Sequence, residues 1–273
     1  MTDFVDVHAD NAAAWNQTSD WYRDKIAGAL PGLRFGGVTL HPVETQLLKS
    51  LGDMSTWCDR AIHLQCAAGL DSVSLANFGA QSVLGIDIAD ELVDLATSLA
   101  AQLGKPVTFR CSDVLDPPAG LAGTADLVYT GKGAVHWMFD IKRWGQVVAR
   151  LLRPGGWFML FDFHPMMWLF RGSDTEMTPS GVSYFAPVIS YREWPEQHVG
   201  ALVLPPSEVK VKKLRPWPPS AVIQSLLDAG LDLKSFGEYP DTINAASTAY
   251  PQWQPENRRK VATMYSVLAR KPE

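Results

Sequence analysis

From about residue 60 to 162 the chain alternates short apolar runs with stretches of helical periodicity. "AIHLQC" (61–66) predicts a strand, and "GLDSVSLANFGA" (69–80) a helix that Gly79 closes. "SVLGID" (82–87) predicts a second strand. Asp90 is expected to N-cap the next helix, where Leu92, Leu95, Ala96, Leu99 and Leu103 share one face before Gly104 ends it. "PVTFRCSD" (106–113) and "ADLVYT" (125–130) read as strands around the loop "DPPAGLAG". Trp144, Val147, Val148, Leu151 and Leu152 then fall at helical spacing, "RPGG" stops that helix, and "WFMLFDF" (157–163) is the fifth strand. Such alternation predicts a parallel sheet with crossover helices.

Residues 163–215 break the rhythm with prolines, aromatics and two extended stretches, "VSYFAPVISY" and "HVGALVLP". The pattern resumes with a helix at "PPSAVIQSLLDAG" and strands at "LDLKSFGEY" and "VATMYSVLARK". One domain is expected, in four stretches: a helical cap (1–57), a core (58–165), a lid or flap insertion (166–214) and a C-terminal completion of the sheet (215–273).

Composition narrows the function. Of the 273 residues 47% are apolar, enough for a sizeable core, and the net charge is −5 with 24 scattered Lys and Arg. The densest basic group, "KVKKLR" (210–215), is too short to track a phosphate backbone, so no nucleic-acid partner is expected. Cys58, Cys66 and Cys111 form no CxxC pair and read as free thiols. No export signal and no membrane-length apolar run is found, so a cytoplasmic protein without a membrane partner is expected, as monomer or homodimer.

The candidate chemistry begins where the first strand turns into its helix. Ala67, Ala68 and Gly69 are small enough for backbone N–H groups to approach a ligand, and Asp87, ending the second strand, is placed to accept from both hydroxyls of a ribose. Asp113, ending the third strand, is placed to receive an adenine amino group. "VYTGKGAVHWM" (128–138) ends the fourth strand in a Gly-Lys-Gly turn and a His-Trp pair. The bland alternative is close helix–sheet packing with a capping Asp. A dinucleotide site would need G-x-G-x-x-G, and Asp71 would repel its pyrophosphate; for a phosphate-free cofactor an acidic helix start is harmless.

In the order of its elements and in five successive motif positions, 61–162 resembles the class I S-adenosylmethionine-dependent methyltransferases. It is most similar to a branch with an "HLQC" first motif, an "LLRPGG" before the fifth strand and an "SVLARKP" ending. The resemblance implies a Rossmann-like, doubly wound α/β fold: a mostly parallel seven-stranded sheet with an insertion after the fifth strand. It implies S-adenosyl-L-methionine as cofactor, held by His63, Gln65, Cys66, Ala67, Gly69, Asp87, Ile88, Asp113, Val114, Thr130 and Gly131, with Trp21 and Tyr22 from the cap. His63 stands where the common pattern has an acid, and Gln65 and Ala67 where it has glycines. That leaves the methionine amino group to Trp21, Tyr22 or an elbow carbonyl. Pro218 stands where the branch often carries His.

The acceptor is expected above the fourth and fifth strand ends. His136 is the first candidate for general base, with pocket-shaping as the alternative; His164 is a second base candidate or a turn residue before Pro165. Trp137, Tyr184 and Tyr191 are candidate substrate walls, with His198 near them. Asp162 and His164 are too few for a hard cation, so no metal is expected. Lys132 reads as a solvated turn lysine. The expected reaction is methyl transfer to N or O of a small, aromatic or heterocyclic metabolite, as in secondary metabolism. Two alternatives stand beside it: a cofactor-binding cyclase or decarboxylase that transfers no methyl, and a cofactor-free binding protein on the same fold.

Overall fold

The computed structural model describes residues 4–172, 177–192, 204–205, 207–240 and 260–273. Three helices come first: α1 (Phe4–Asn16), α2 (Ser19–Arg34) and α3 (Pro42–Ser50). The α3 start is a capping box. His41 Nδ1 accepts from the Val43 N–H (3.2 Å), and the Glu44 carboxylate accepts from the His41 N–H (2.6 Å).

The alternating region then runs β1 (Ala61–Leu64), α4 (Leu70–Phe78), β2 (Val83–Asp87), α5 (Asp90–Leu103), β3 (Val107–Cys111), β4 (Ala125–Gly131), α6 (Ile141–Leu151) and β5 (Leu152–Phe163). After the insertion come α7 (Pro219–Asp228), β10 (Asp232–Tyr239) and β11 (Met264–Arg270). The seven-stranded sheet has the order β10-β11-β5-β4-β1-β2-β3. β1 to β5 are parallel, and β11 and β10 return antiparallel at one edge. The fold is thus the Rossmann-like α/β fold that the resemblance implies, built on the parallel sheet that the alternation predicts. The strand order reverses between β1 and β4, and ligands of doubly wound sheets bind in the crevice at such a switch point.

Period-two alternation divides the core. Ile62, Leu64, Val128, Phe158 and Leu160 face α6 and α7, where Trp144 is fully buried edge-on to Phe158 (5.6 Å). Ala61, Val83, Leu127, Tyr129 and Met159 face the other layer, built from α2 to α5. Gly145 of α6 has no side chain because α7 lies against it: a Cβ there would meet the Ser225 carbonyl at 2.4 Å.

Three local expectations change. Ala89, not Asp90, caps α5, because the Asp87 carboxylate takes the Ala89 N–H (3.0 Å) and Asp90 turns to the Asn16 amide (2.6 Å). "RPGG" does not interrupt the chain between elements; β5 starts at Leu152 and runs through it. Within the insertion, β6 (Phe170–Gly172) pairs with β7 (Met177–Pro179) and β8 (Ile189–Tyr191) with β9 (Lys212–Leu214), both antiparallel. Only the end of "VSYFAPVISY" is strand, since Pro187 lacks a ladder donor. Residues 198–203 of "HVGALVLP", His198 included, lie outside the described residues. Among the described residues no helix is long and apolar enough to cross a membrane.

Candidate functional site

A cavity of about 440 Å³ opens at the carboxyl ends of β1 to β5, and α1 and α2 cover it. Its floor is the turn after β1, where Gln65 (φ 57°), Ala67 (φ 44°) and Gly69 (φ 77°) are left-handed. Two of these are not glycine, and such backbone strain persists only where the surroundings hold it. Here the holding groups are visible. The Asp87 carboxylate accepts from the Ala67 N–H (2.7 Å), the Gln65 amide donates to the Ala134 carbonyl (2.5 Å), and the Cys66 N–H donates to the Ile86 carbonyl (3.1 Å). Gly69 is obligatory in space as well as in φ, because a Cβ would sit 2.6 Å from the Phe109 ring. Gln65, Cys66, Ala67 and Gly69 therefore line the cavity beside Asp87 and Ile88. Burial pushes the Asp87 carboxyl above its ordinary pKa, against the backbone N–H groups of Ala89, Ala67 and Ile88.

His63 also lines the cavity, bonded through Nδ1 to the Ser72 hydroxyl (2.8 Å). Burial lowers its pKa to about 4, with Asp71 opposing, so the ring is neutral near pH 7. Charge enters from the helix start instead. Asp71 accepts from the Thr39 hydroxyl (2.5 Å) and the Lys132 ammonium (2.7 Å). Burial alone would raise Asp71; Lys132, His63 and Thr39 outweigh it and hold it at about 2. Lys132 is not the solvated turn lysine expected from sequence. It is left-handed (φ 57°), and its ammonium reaches the Thr39 carbonyl (2.9 Å), Asp71 and, at 3.5 Å, the fully buried Glu44, which also accepts from the Tyr129 hydroxyl.

The loop after β4 is tied down by Asp162, whose carboxylate accepts from the backbone N–H groups of Gly133, Val135 (2.8 Å) and Phe163 (2.7 Å). Burial outweighs those bonds and raises its pKa to about 6. Gly131 and Trp137 line the cavity from this loop. Thr130 does not; it is buried behind, donating to the Leu64 carbonyl (3.0 Å).

Over the opening, Trp21 and Tyr22 meet edge to face (4.8 Å) with the Lys25 ammonium 4.6 Å from the Trp21 ring, and Trp15 packs against Trp137 (5.3 Å). At the β3 end Asp113 and Val114 line the cavity beside His8 of α1, whose Nδ1 lies 2.6 Å from Asp113 Oδ2. At the β5 end stand Phe161, Phe163 and Met264, with the His41 ring stacked on Phe161 (4.8 Å, 17°).

The two base candidates are not among the cavity-lining residues. His136 is buried among Phe163, Trp168 (4.7 Å) and Trp137 (5.5 Å). His164 begins a single turn, as its turn reading has it: Nδ1 accepts from the Met166 N–H (3.2 Å) and Nε2 lies 3.0 Å from Glu238. Tyr184 sits beside His164 (6.4 Å), and Tyr191 packs behind Trp137 (6.5 Å); neither lines the cavity. Among the described residues the imidazoles that do line it besides His63 are His8 and His41, which sequence reasoning missed. The "HPVE" capping box was a signal for His41; His8 has no local signal, since its partner is far along the chain. No group of three or more His, Cys, Asp or Glu able to hold a metal occurs among the described residues.

A parallel switch-point sheet, a left-handed turn after β1 and acids at the ends of β2 and β3 are arranged in a fold similar to that of solved S-adenosylmethionine-dependent methyltransferases. Residues 61–156 match the family model described as a methyltransferase domain. A ubiquinone biosynthesis O-methyltransferase of Xanthomonas axonopodis pv. citri (strain 306) is 37% identical over 97 residues, 36% of this chain and 40% of the relative. The chain spans less than half the length of the curated relatives it matches. An S-adenosylmethionine dependent methyltransferase from Mesorhizobium loti superposes with a TM-score of 0.59 at 21% identity, over 80% of this chain and 93% of that one. Geranyl diphosphate C-methyltransferase from Streptomyces coelicolor A3(2), solved with Mg2+, geranyl diphosphate and S-adenosyl-L-homocysteine, superposes with a TM-score of 0.56 at 14% identity, over 85% and 80%.

Proposed function

We propose that the protein is an S-adenosylmethionine-dependent methyltransferase acting on an oxygen or nitrogen of a small aromatic or heterocyclic metabolite. The observation that carries this is the Asp87 carboxylate bonded to the left-handed turn at Ala67, both lining one cavity at the switch point. The cavity suits the cofactor chemically. Asp87 keeps carboxylate lone pairs for ribose hydroxyls, and the small turn admits a ligand close to backbone N–H groups. Asp71, ionised beside the ordinary position of the family's acid, offers a counter-charge for an ammonium group.

When bound, the cofactor supplies an activated methyl for an in-line displacement, and the protein's own part is alignment and exclusion of water. Trp21 and Tyr22 close the opening with ring faces that suit a cation. Phe161, Phe163, Trp137 and Met264 wall the acceptor end and favour a flat apolar partner. His136 braces Trp137 and Trp168 from behind in this reading. The acceptor atom is assigned to oxygen first, because a curated relative is an O-methyltransferase.

The test is incubation of the full chain with S-adenosylmethionine and a panel of catechols, phenols and N-heterocycles, read by mass spectrometry. The expected product gains one methyl and S-adenosylhomocysteine accumulates with it. A rearranged product of unchanged mass contradicts the transfer and favours a cyclase on the same fold.

A further inference from the structure

His8 carries an atom that the described residues leave unanswered. It is 4% exposed and lines the cavity with Asp113, and its Nδ1 lies 2.6 Å from Asp113 Oδ2. The other carboxylate oxygen, Oδ1, accepts from the Leu115 N–H (2.8 Å). An ionised carboxylate only accepts, so the proton between the pair sits on Nδ1; a ring that carries this proton alone presents Nε2 as a lone-pair acceptor. That Nε2 is buried and has no hydrogen-bond partner among the described residues. A buried acceptor without a donor is costly, and a ligand that brings the donor recovers the cost. The neighbouring cavity residues at this end, Ile88, Leu92 and Val114, are apolar, which leaves a slot for a flat base with one polar edge.

We infer that His8 reads the 6-position of the bound purine as a neutral ring, its Nε2 accepting a hydrogen from the exocyclic amine while Asp113 holds the ring's one N–H proton at Nδ1. This rests on the cofactor reading above and deepens it: the cap helix, rather than the sheet edge alone, makes the site specific for adenine. A 6-oxo purine turns an acceptor toward an acceptor and is rejected, as sites built to bond one group reject the analogue lacking it.

The inference makes a reversal testable. In Asp113→Asn the side-chain oxygen stays on the Leu115 N–H, which needs an acceptor, so the amide nitrogen takes the place of Oδ2 and donates to His8 Nδ1. The ring proton then moves to Nε2, which becomes a donor and prefers the 6-oxo ligand.

The experiment is isothermal titration of the full chain with S-adenosylhomocysteine and with S-inosylhomocysteine, its 6-oxo counterpart. The wild type is expected to prefer the amine by about tenfold or more. His8→Ala is expected to bring the ratio within about threefold, and Asp113→Asn to reverse its direction. A His8→Ala protein that binds both ligands with the wild-type ratio overturns the inference and leaves the cofactor reading intact. So does an Asp113→Asn ratio unchanged from wild type, which decides the matter alone if His8→Ala does not fold. Binding of neither ligand by the wild type overturns the cofactor reading itself, and this inference with it.

Discussion

At the scale of single residues the site is held by buried titratable groups whose pKa values are moved in opposite directions. His63 is kept neutral by burial, with a folded pKa of about 4 against an ordinary value near 6.5. Between those values the unfolded chain binds the extra proton, so His63 stabilises fully above pH 6.5 and loses that contribution as pH falls to 4. Asp162 runs the other way. Its folded value of about 6 lies above the ordinary 3.8, so the folded state takes the proton first and gains stability as pH falls from 6 towards 4. Asp71, held at about 2, loses its contribution only as pH falls from about 4 to 2. Replacing Asp162 by Asn therefore exposes the His63 slope. Thermal melts from pH 7 to 4 are expected to show a steeper fall for Asp162→Asn than for wild type, and equal slopes contradict the assignment. Lys132→Met is a separate case, since it strands Asp71 and the buried Glu44 without their cation. Urea unfolding should show a loss on the order of 3 kcal/mol. Asp87→Ala is expected to keep the fold, by circular dichroism and melting, while weakening S-adenosylhomocysteine binding by about a hundredfold; micromolar binding retained would refute the ribose role.

At the scale of elements the close approach of α6 and α7 offers a direct probe of packing. Gly145→Val puts side-chain atoms where the Ser225 carbonyl lies and forces the helices apart. A cost of roughly 2–3 kcal/mol, seen as a midpoint lowered by about 5–10 °C, is expected. Elements like these were legible from sequence where burial is local and periodic. The runs at 61–64, 83–87 and 125–130 are buried on both faces and read as apolar strands. The turn and Asp87 were legible for the same reason, because a single β1–α4–β2 unit brings them together. What stayed hidden depends on distant partners. α1 and α2 cover a cavity rather than a core, so their cavity-facing side mixes His8, Asn11, Trp15 and Lys25 and shows no clean apolar stripe. His8 meets Asp113, Asp71 meets Lys132 and Asn11 meets Lys213 only after folding. The setting of His136 was hidden as well, because its place after β4 says nothing of the Phe163 and Trp168 rings that enclose it.

At the scale of the whole molecule the cap joins the core to the insertion. Along α1, His8 reaches Asp113 and Asn16 reaches Asp90, while Asn11 bonds both backbone groups of Lys213 next to β8. A ligand beneath α1 should therefore be felt by the entire fold. Saturation at about a hundredfold above Kd is worth about 2.7 kcal/mol and should raise the melting midpoint by several degrees. The most direct test of the central claim is isothermal titration of the purified chain with S-adenosylhomocysteine, with NADH in a parallel cell. Micromolar, one-to-one binding of S-adenosylhomocysteine with no heat from NADH is the predicted result. Binding of NADH in its place, or no binding of S-adenosylhomocysteine, contradicts the account.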